Sequence, residues 1–459
     1  MTVPSCDLPF ETFARYTDPR VMGDIWRGQL ASLLTTPFEF SACNVQYARC
    51  RTYLNSASWH KSFLCVCYEF DLKSDRRAGH KPMLYGRAYL QGRSRMEFDA
   101  LAQLDGARLV PELDMIVWNF PDDPCLPQLR VLLDPARVVE HFPYASLLFD
   151  RDNIVDVKIS VTRYRPEQRC ILRYDIEYGA NKARCVLYAK VFADDNGERV
   201  FARMQCCYRV ADALGVRIAK PLRYGAAVRT VWQEELRGEP LVVALDEGTF
   251  GAPIAAIGHC LAKLHTVALP MQQAVTREAR LADAAKKSRK LAQILHELTS
   301  ELAALIARSE IELTLLPPAP EAVIHGDVHF GQFLITDDGA LALFDFDEWS
   351  RGDPAQDLAD LIVDPHVSQF APEKAKANQI LSARIAGKLL ESYRQHAAWA
   401  ISDASVIWHA RIQLITKAYR AAIQQEPHWR EKVPALVALA TGEIELSANP
   451  KWKSVNEIA

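Results

Sequence analysis

The sequence predicts an α+β protein, and three observations carry that expectation. In the middle of the chain Val157, Ile159 and Val161 alternate with Lys158, Ser160 and Thr162, the period-two signature of a half-buried strand. Later, Leu291, Leu295, Leu298, Leu302 and Leu305 recur at spacings of three and four between Lys, Arg and Glu, the signature of a helical packing face. A Pro- and Asp-rich stretch from 120 to 134 closes an earlier part that holds strands and helix of its own. The chain therefore divides into 1–150, 151–238 (strand-rich) and 239–459 (mostly helical). At roughly 150 residues per domain, 459 residues agree with three parts.

In the second part a turn at Arg165-Pro166-Glu167 leads to a strand over 170–178. Gly179-Ala180-Asn181 turns the chain into a third strand, 186–192. Asp194-Asp195-Asn196-Gly197 breaks it; a helix over 198–214 and a strand over 229–236 follow. The first part shows a similar order, with strands at 45–49, 63–70 and 84–89. Residues 84–89 align with 187–192, and 117–120 with 231–234. Either the chain carries a degenerate internal duplication, or strands built of Tyr, Val and Leu simply look alike. In a duplication Arg87 stands where the second copy has Lys190, and the first copy is a structural cap. In the third part Pro317, Pro318 and Pro320 end the leucine-marked helix, whose basic start (Lys286, Lys287, Arg289, Lys290) reads as a solvated face. Further helices are expected over 373–397 and 402–423, and the polar tail, 449–459, is expected to fray.

Composition narrows the function. Hydrophobic residues at 49% and charged residues at 24% fit a globular protein with large cores. Lys and Arg number 54 against 57 Asp and Glu, a net charge of −3 that gives no electrostatic basis for bulk nucleic-acid binding. No apolar run reaches the roughly 18–20 residues of a membrane span, and residues 1–12 lack a basic start followed by an apolar run. Eleven irregularly spaced cysteines without a Cys-x-x-Cys argue against zinc and for free thiols. The expectation is a cytoplasmic protein without a membrane or nucleic-acid partner.

The chemistry concentrates in residues 323–362. They include His325-Gly326-Asp327-Val328-His329-Phe330-Gly331-Gln332, a turn at Asp337-Asp338-Gly339, then Phe344-Asp345-Phe346-Asp347-Glu348 and Gly352-Asp353-Pro354-Ala355-Gln356-Asp357. Short apolar strands at 333–335 and 341–344 flank the turn and make a hairpin. Asp327 lies before its entry and Asp345 at its exit, so Asp327, Gln332 and Asp345 can converge. Two carboxylates and an amide oxygen are hard ligands suited to Mg²⁺. Mg²⁺ takes few protein ligands and completes its shell with phosphate oxygens, which points to phosphoryl transfer.

The run His325-Gly326-Asp327-x-His329-x-x-Gln332, the later Asp345 and Gly352-Asp353-Pro354-x-x-Asp357 resemble the aminoglycoside phosphotransferase / choline kinase group of small-molecule kinases. Leu236-Arg237-Gly238 through Leu241 resembles the segment after that group's hinge, and Ile257-Gly258-x-x-Leu261-Ala262-x-Leu264-His265 its first large C-lobe helix. The resemblance covers 157–362 firmly and the C-terminal helices loosely; 1–150 lies outside it. It implies a protein-kinase-like two-lobed fold, a small β-rich N-lobe and a large helical C-lobe, here preceded by an extra α+β cap domain. It further implies an ATP- or GTP-dependent, Mg²⁺-requiring phosphotransferase acting on a hydroxyl of a small molecule, a sugar or amino sugar. Cationic aminoglycosides favour an acidic acceptor pocket, which the sequence does not clearly display.

By the same resemblance Asp327 is the catalytic-loop aspartate that takes or orients the acceptor's proton. Gln332 and Asp345 are the metal ligands, Lys190 meets the α/β-phosphates, and Glu234, Glu235 and Leu236 form the hinge that meets the base. Gln332 stands where an Asn is usual, which also resembles the maltokinase branch with its N-terminal cap. The phosphate loop, 163–169, has no glycine. Either Arg165 and Arg169 replace backbone N–H donors at the phosphates, or they flank a solvent-exposed turn. Both Glu198 and Gln205 are open as the partner of Lys190. His325 and His329 read as structural, and Asp353 and Asp357 as holding the loop and capping the next helix. Asp347 and Glu348 face either the acceptor or the surface. Competing functions are a nucleotide-binding regulatory module without catalysis, and a kinase acting on a peptide or protein side chain.

Overall fold

The structure, a computed structural model, describes residues 8–33, 39–51, 61–73, 81–100, 106–241, 251–268, 274–368, 370, 375–444 and 446. The expected fraying tail lies outside these residues. The chain divides into two compact units. One comprises Met1–Ala202, Lys220–Glu235 and Ile423–Glu426; the other comprises Arg203–Ala219, Leu236–Ala422 and Pro427–Ala459. Among the described residues no helix is long and apolar enough to cross a membrane.

The first unit holds two five-stranded antiparallel sheets. Strands β1 (Phe40–Arg51), β2 (Phe63–Leu72), β3 (Met83–Ala88), β4 (Arg108–Val110) and β5 (Met115–Asn119) form one, in the order β1-β2-β3-β5-β4. Strands β6 (Ile154–Arg165), β7 (Arg169–Tyr178), β8 (Ala183–Phe192), β9 (Pro221–Gly225) and β10 (Thr230–Glu234) form the other, in the order β6-β7-β8-β10-β9. Each sheet interrupts its third and fourth strands with a helix, Arg93–Ala100 in the first and Asn196–Leu214 in the second. Each joins its fourth and fifth strands by a 3₁₀ turn ending in a left-handed residue, Asp114 in one and Arg229 in the other, both at φ 45° and ψ 47°. The short strands β4 and β9 are not signalled in the sequence; they are three and five residues long and lack clean alternation.

Register fixes the correspondence of the sheets. Arg87 pairs with Ile116, the second residue of β5, and Lys190 with Val231, the second residue of β10. Val117 then matches Trp232, one residue off the alignment of 117–120 with 231–234. A one-residue slip reverses every side chain in a strand, so the sequence match there was to the wrong face. Between the sheets' sequences, Tyr164, Leu172, Tyr174, Leu187, Val191 and Trp232 from the second sheet are buried with Leu129, Leu132 and Phe142. Tyr174 Oη donates to the Leu132 carbonyl at 2.8 Å. The Pro- and Asp-rich stretch is thus packed structure rather than a loose linker.

The second unit is mainly helical and carries two three-stranded sheets. These are β11 (Gly238–Pro240), β14 (Phe333–Thr336) and β15 (Leu341–Leu343), and β12 (Ala274–Val275), β13 (Ala322–Ile324) and β16 (Ser350–Gly352). Helices Ala375–His396 and Asp403–Ile423 lie close to their expected bounds. The leucine-marked helix does not run unbroken. Helix Arg277–Ile294 ends before Leu295, a 3₁₀ turn covers His296–Leu298, and a new helix spans Thr299–Leu315. All five leucines are nonetheless buried, because a 3₁₀ turn keeps near-threefold spacing. Ten cysteines among the described residues are free thiols.

Candidate active site

The segment 325–332 leaves β13 at Ile324 and is fastened from beneath by helix Ala355–Ser368. Asp357, fully buried, accepts from the His325 N–H at 2.7 Å and the Gly326 N–H at 2.9 Å. His265 Nε2 lies 3.2 Å from the same carboxylate. Gln356 Nε2 donates to the Gly326 carbonyl at 3.0 Å, and the Phe330 N–H donates to Asp364 at 3.1 Å. Burial pushes the Asp357 carboxyl up, but the His265 and backbone hydrogen bonds outweigh it and hold it below the usual range. Gly326 is required here: its φ is 86°, and a Cβ would lie 2.6 Å from the Glu348 carbonyl oxygen. Asp353 caps the same helix through the Ala355 N–H at 2.9 Å and is held by Arg277 and His409. His325 donates through Nε2 to the Phe344 carbonyl at 3.0 Å. The loop-holding and capping geometry expected of Asp353, Asp357 and His325 is present.

On this fixed loop the Asp327 side chain is 41% exposed, so a hydroxyl can reach it. Lys417 Nζ, from helix Asp403–Ile423, lies 3.2 Å from its Oδ1 and is itself buried. Burial pushes the Asp327 carboxyl up; Lys417 and Arg420 outweigh that and hold it below its ordinary value. Burial drives His329 the other way, toward the neutral form. A carboxylate kept ionised beside a neutral imidazole can accept a proton; the imidazole's backbone contact makes it a loop element.

The hairpin β14–β15 brings Gln332 and Asp345 to one end. Phe333 pairs with Leu343, and the Phe344 N–H donates to the Gln332 carbonyl at 3.0 Å. Asp345 follows at φ 61°, a left-handed conformation that Asp tolerates better than most residues. Gln332 Oε1 accepts from the His329 N–H at 3.2 Å, closing a reciprocal cap with the His329 side chain. Cation binding would use the second lone pair of that oxygen. A carboxylate and an amide oxygen fit Mg²⁺, leaving most of its octahedron to water and phosphate.

In the first unit, register places Arg165 opposite Arg169, Arg169 opposite Phe192, and Lys190 two residues before Phe192. Alternation therefore puts Arg165, Arg169, Lys190 and Phe192 on one face; Tyr164, Cys170, Ala189 and Val191 occupy the buried other face. Lys190 Nζ stands 5.7 Å from the Phe192 ring centre. Glu234 pairs with Lys220 at 3.7 Å and Glu235 with Arg173 at 3.4 Å, so both carboxylates of the expected hinge are engaged. Leu236 follows in the second unit. Glu348 is exposed and Asp347 half-buried; Arg203 donates to the Asp347 carbonyl.

Sequence reasoning missed Lys417 and Glu167. Lys417 carried a faint signal, a lysine among the buried apolar positions Leu414, Ile415 and Ala418. Glu167 carried none, since a Glu in a Pro-containing turn reads as solvated.

The second unit thus presents an aspartate on a His-Gly-Asp loop whose backbone is hydrogen-bonded. Residues 186–399 match the phosphotransferase enzyme family. The match spans 214 of the chain's 459 residues. No curated protein matches it. Among solved structures it is similar to a choline/ethanolamine kinase family protein from Mesorhizobium loti (16% identity, 64% of this chain and 90% of that one, TM-score 0.41). It is also similar to aminoglycoside 2'-phosphotransferase-IIIa in its GDP complex (10% identity, 66% and 96%, TM-score 0.46). A third is the choline kinase LicA from Streptococcus pneumoniae (15% identity, 62% and 94%, TM-score 0.40).

Proposed function

We propose that the chain transfers the terminal phosphoryl group of ATP or GTP to a hydroxyl of a small molecule, a sugar or amino sugar. The observation that carries this reading is Asp327: solvent-accessible, held ionised, and mounted on a loop whose backbone is fastened by Asp357, Gln356 and Asp364. Asp327 takes or orients the proton of the acceptor hydroxyl as it attacks the phosphorus, a contribution of roughly 10²–10⁴-fold. Gln332 and Asp345 would hold Mg²⁺, which when bound neutralises charge on the donor's phosphate oxygens. Lys190, Arg165 and Arg169 bind donor phosphates, and backbone groups of Glu234, Glu235 and Leu236 bind the base. Residues 1–150 act as a cap domain, 151–238 as the N-lobe and 239–459 as the C-lobe.

The test is a panel of sugars and amino sugars incubated with Mg²⁺ and ATP or GTP, with Asp327→Asn as control. Acceptor-dependent release of nucleoside diphosphate, lost in the variant, supports the reading. Tight nucleotide binding without turnover on any acceptor would instead identify a regulatory module.

A further inference from the structure

The tip between β6 and β7 is not a free loop. Glu167, at φ 62°, turns its side chain into the first sheet, where that side chain is 9% exposed. There Arg87 holds it in an ion pair, and the Tyr85 hydroxyl donates to the same oxygen. Arg87 Nε also lies 2.8 Å from the Tyr85 oxygen. Cys65 Sγ is 3.6 Å from Oε2, and Arg51 lies 4.0 Å from it. The turn's backbone is held as well. The Glu167 N–H donates to Asp123 at 2.8 Å; the Gln168 side chain donates through Nε2 to the Tyr47 hydroxyl at 2.5 Å and accepts at Oε1 from Arg49 at 3.2 Å. The cap therefore offers a built anion site, and its cation, Arg87, has the register position that Lys190 has in the second sheet.

We propose that the first sheet is a degenerate copy of the second whose anion site is filled by Glu167, and that this tether positions the glycine-free β6–β7 turn for the donor's phosphates. The proposal rests on the phosphate-binding reading of Arg165 and Arg169 given above. A glycine-rich loop offers backbone N–H groups by bending around phosphates. This turn offers arginine side chains instead, and flexible side chains gain affinity only when their backbone is fixed beforehand. Glu167 lies between the two arginines and fixes both. It is a positioning residue and touches no substrate.

The experiment compares the full chain with Glu167→Gln, Arg87→Gln and the exchanged pair Glu167→Arg/Arg87→Glu. Amide hydrogen exchange over 163–169 is read beside that of β3 and β5, which reports whether the cap remains folded. Mg²⁺-nucleotide affinity is read by calorimetry, and KM and kcat where an acceptor is known. In a folded Glu167→Gln protein the turn's exchange rises, nucleotide Kd and KM rise about tenfold, and kcat and the acceptor's KM hold, the signature of lost preorganisation. The exchanged pair restores part of both. Should the single variants unfold the cap, that restoration alone carries the decision. Unchanged turn exchange overturns the proposal, as does raised exchange with unchanged nucleotide affinity. Calorimetry needs no turnover, so a wild-type protein that binds nucleotide without phosphorylating anything would sink the phosphotransferase reading and leave the tether standing.

Discussion

Lys417 Nζ lies 3.2 Å from Asp327 Oδ1 across 90 positions of sequence, and the lysine side chain is 9% exposed against 41% for the aspartate. The ammonium is thus committed to its partner while the carboxylate keeps an open side. That asymmetry suits a base whose ionisation must survive partial burial. Removing the ammonium leaves burial, which pushes the carboxyl up, with less to oppose it. In Lys417→Met the acid limb of the pH profile of kcat/KM should move to higher pH, and Lys417→Arg should leave it near its original place. An acid limb that does not move in Lys417→Met means the limb belongs to another group.

Asp327→Asn keeps an oxygen for Lys417 and loses the basic lone pairs. We expect kcat to fall by roughly 10²–10⁴-fold while nucleotide affinity stays within about threefold of wild type. Turnover kinetics and calorimetry on the same preparation decide it. A parallel loss of nucleotide affinity would show a binding role.

Asp357 is the fastening of the loop. It accepts two backbone N–H bonds and contacts His265, all buried. Each buried donor left unpaired costs about 1–3 kcal/mol. Asp357→Asn retains one acceptor and should lower stability by about that amount; Asp357→Ala should lower it further. Urea unfolding measures both, and near-wild-type midpoints would remove Asp357 from this role.

Local chemistry was legible in the sequence where period and turn residues agree. The β14–β15 hairpin, strands β6 to β8 and the capping Asp353 follow from alternation, Gly339 and the Asp-Pro pair preceding a helix. What was not legible depends on distant partners. Nothing near Glu167 announces Arg87, 80 positions away, and nothing near Asp327 announces Lys417. The helix break at Leu295 was hidden because its leucines stay buried through the 3₁₀ turn. The Val117 alignment failed because a matching Val-Trp pair carries no register information; only pairing with β3 and β8 supplied it.

His409 gives the chain a pH signature independent of catalysis. Its ring is fully buried, with Nε2 2.9 Å from Asp353 Oδ2. Burial lowers its pKa from 6.5 to about 4, so the native ring is neutral at physiological pH. Burial likewise lowers His366 to about 4. Between pH 6.5 and 4 the unfolded chain takes up protons that the native chain refuses, so stability falls as pH falls through that window. For His409 the loss is on the order of 3 kcal/mol at the foot of the window. Asp353 acts lower. Burial pushes it up, but hydrogen bonds from His409 and Ala355 and the charge of Arg277 hold it at about 2. Its stabilisation is full above the ordinary carboxylate pKa and is lost as pH falls toward 2. Urea midpoints from pH 7.5 down to 4.5 should therefore decline in wild type. His409→Gln, which can still donate to Asp353, should give a shallower decline, with His366 among the groups that supply the remainder. A decline in His409→Gln as steep as in wild type would mean that His409 does not carry this dependence.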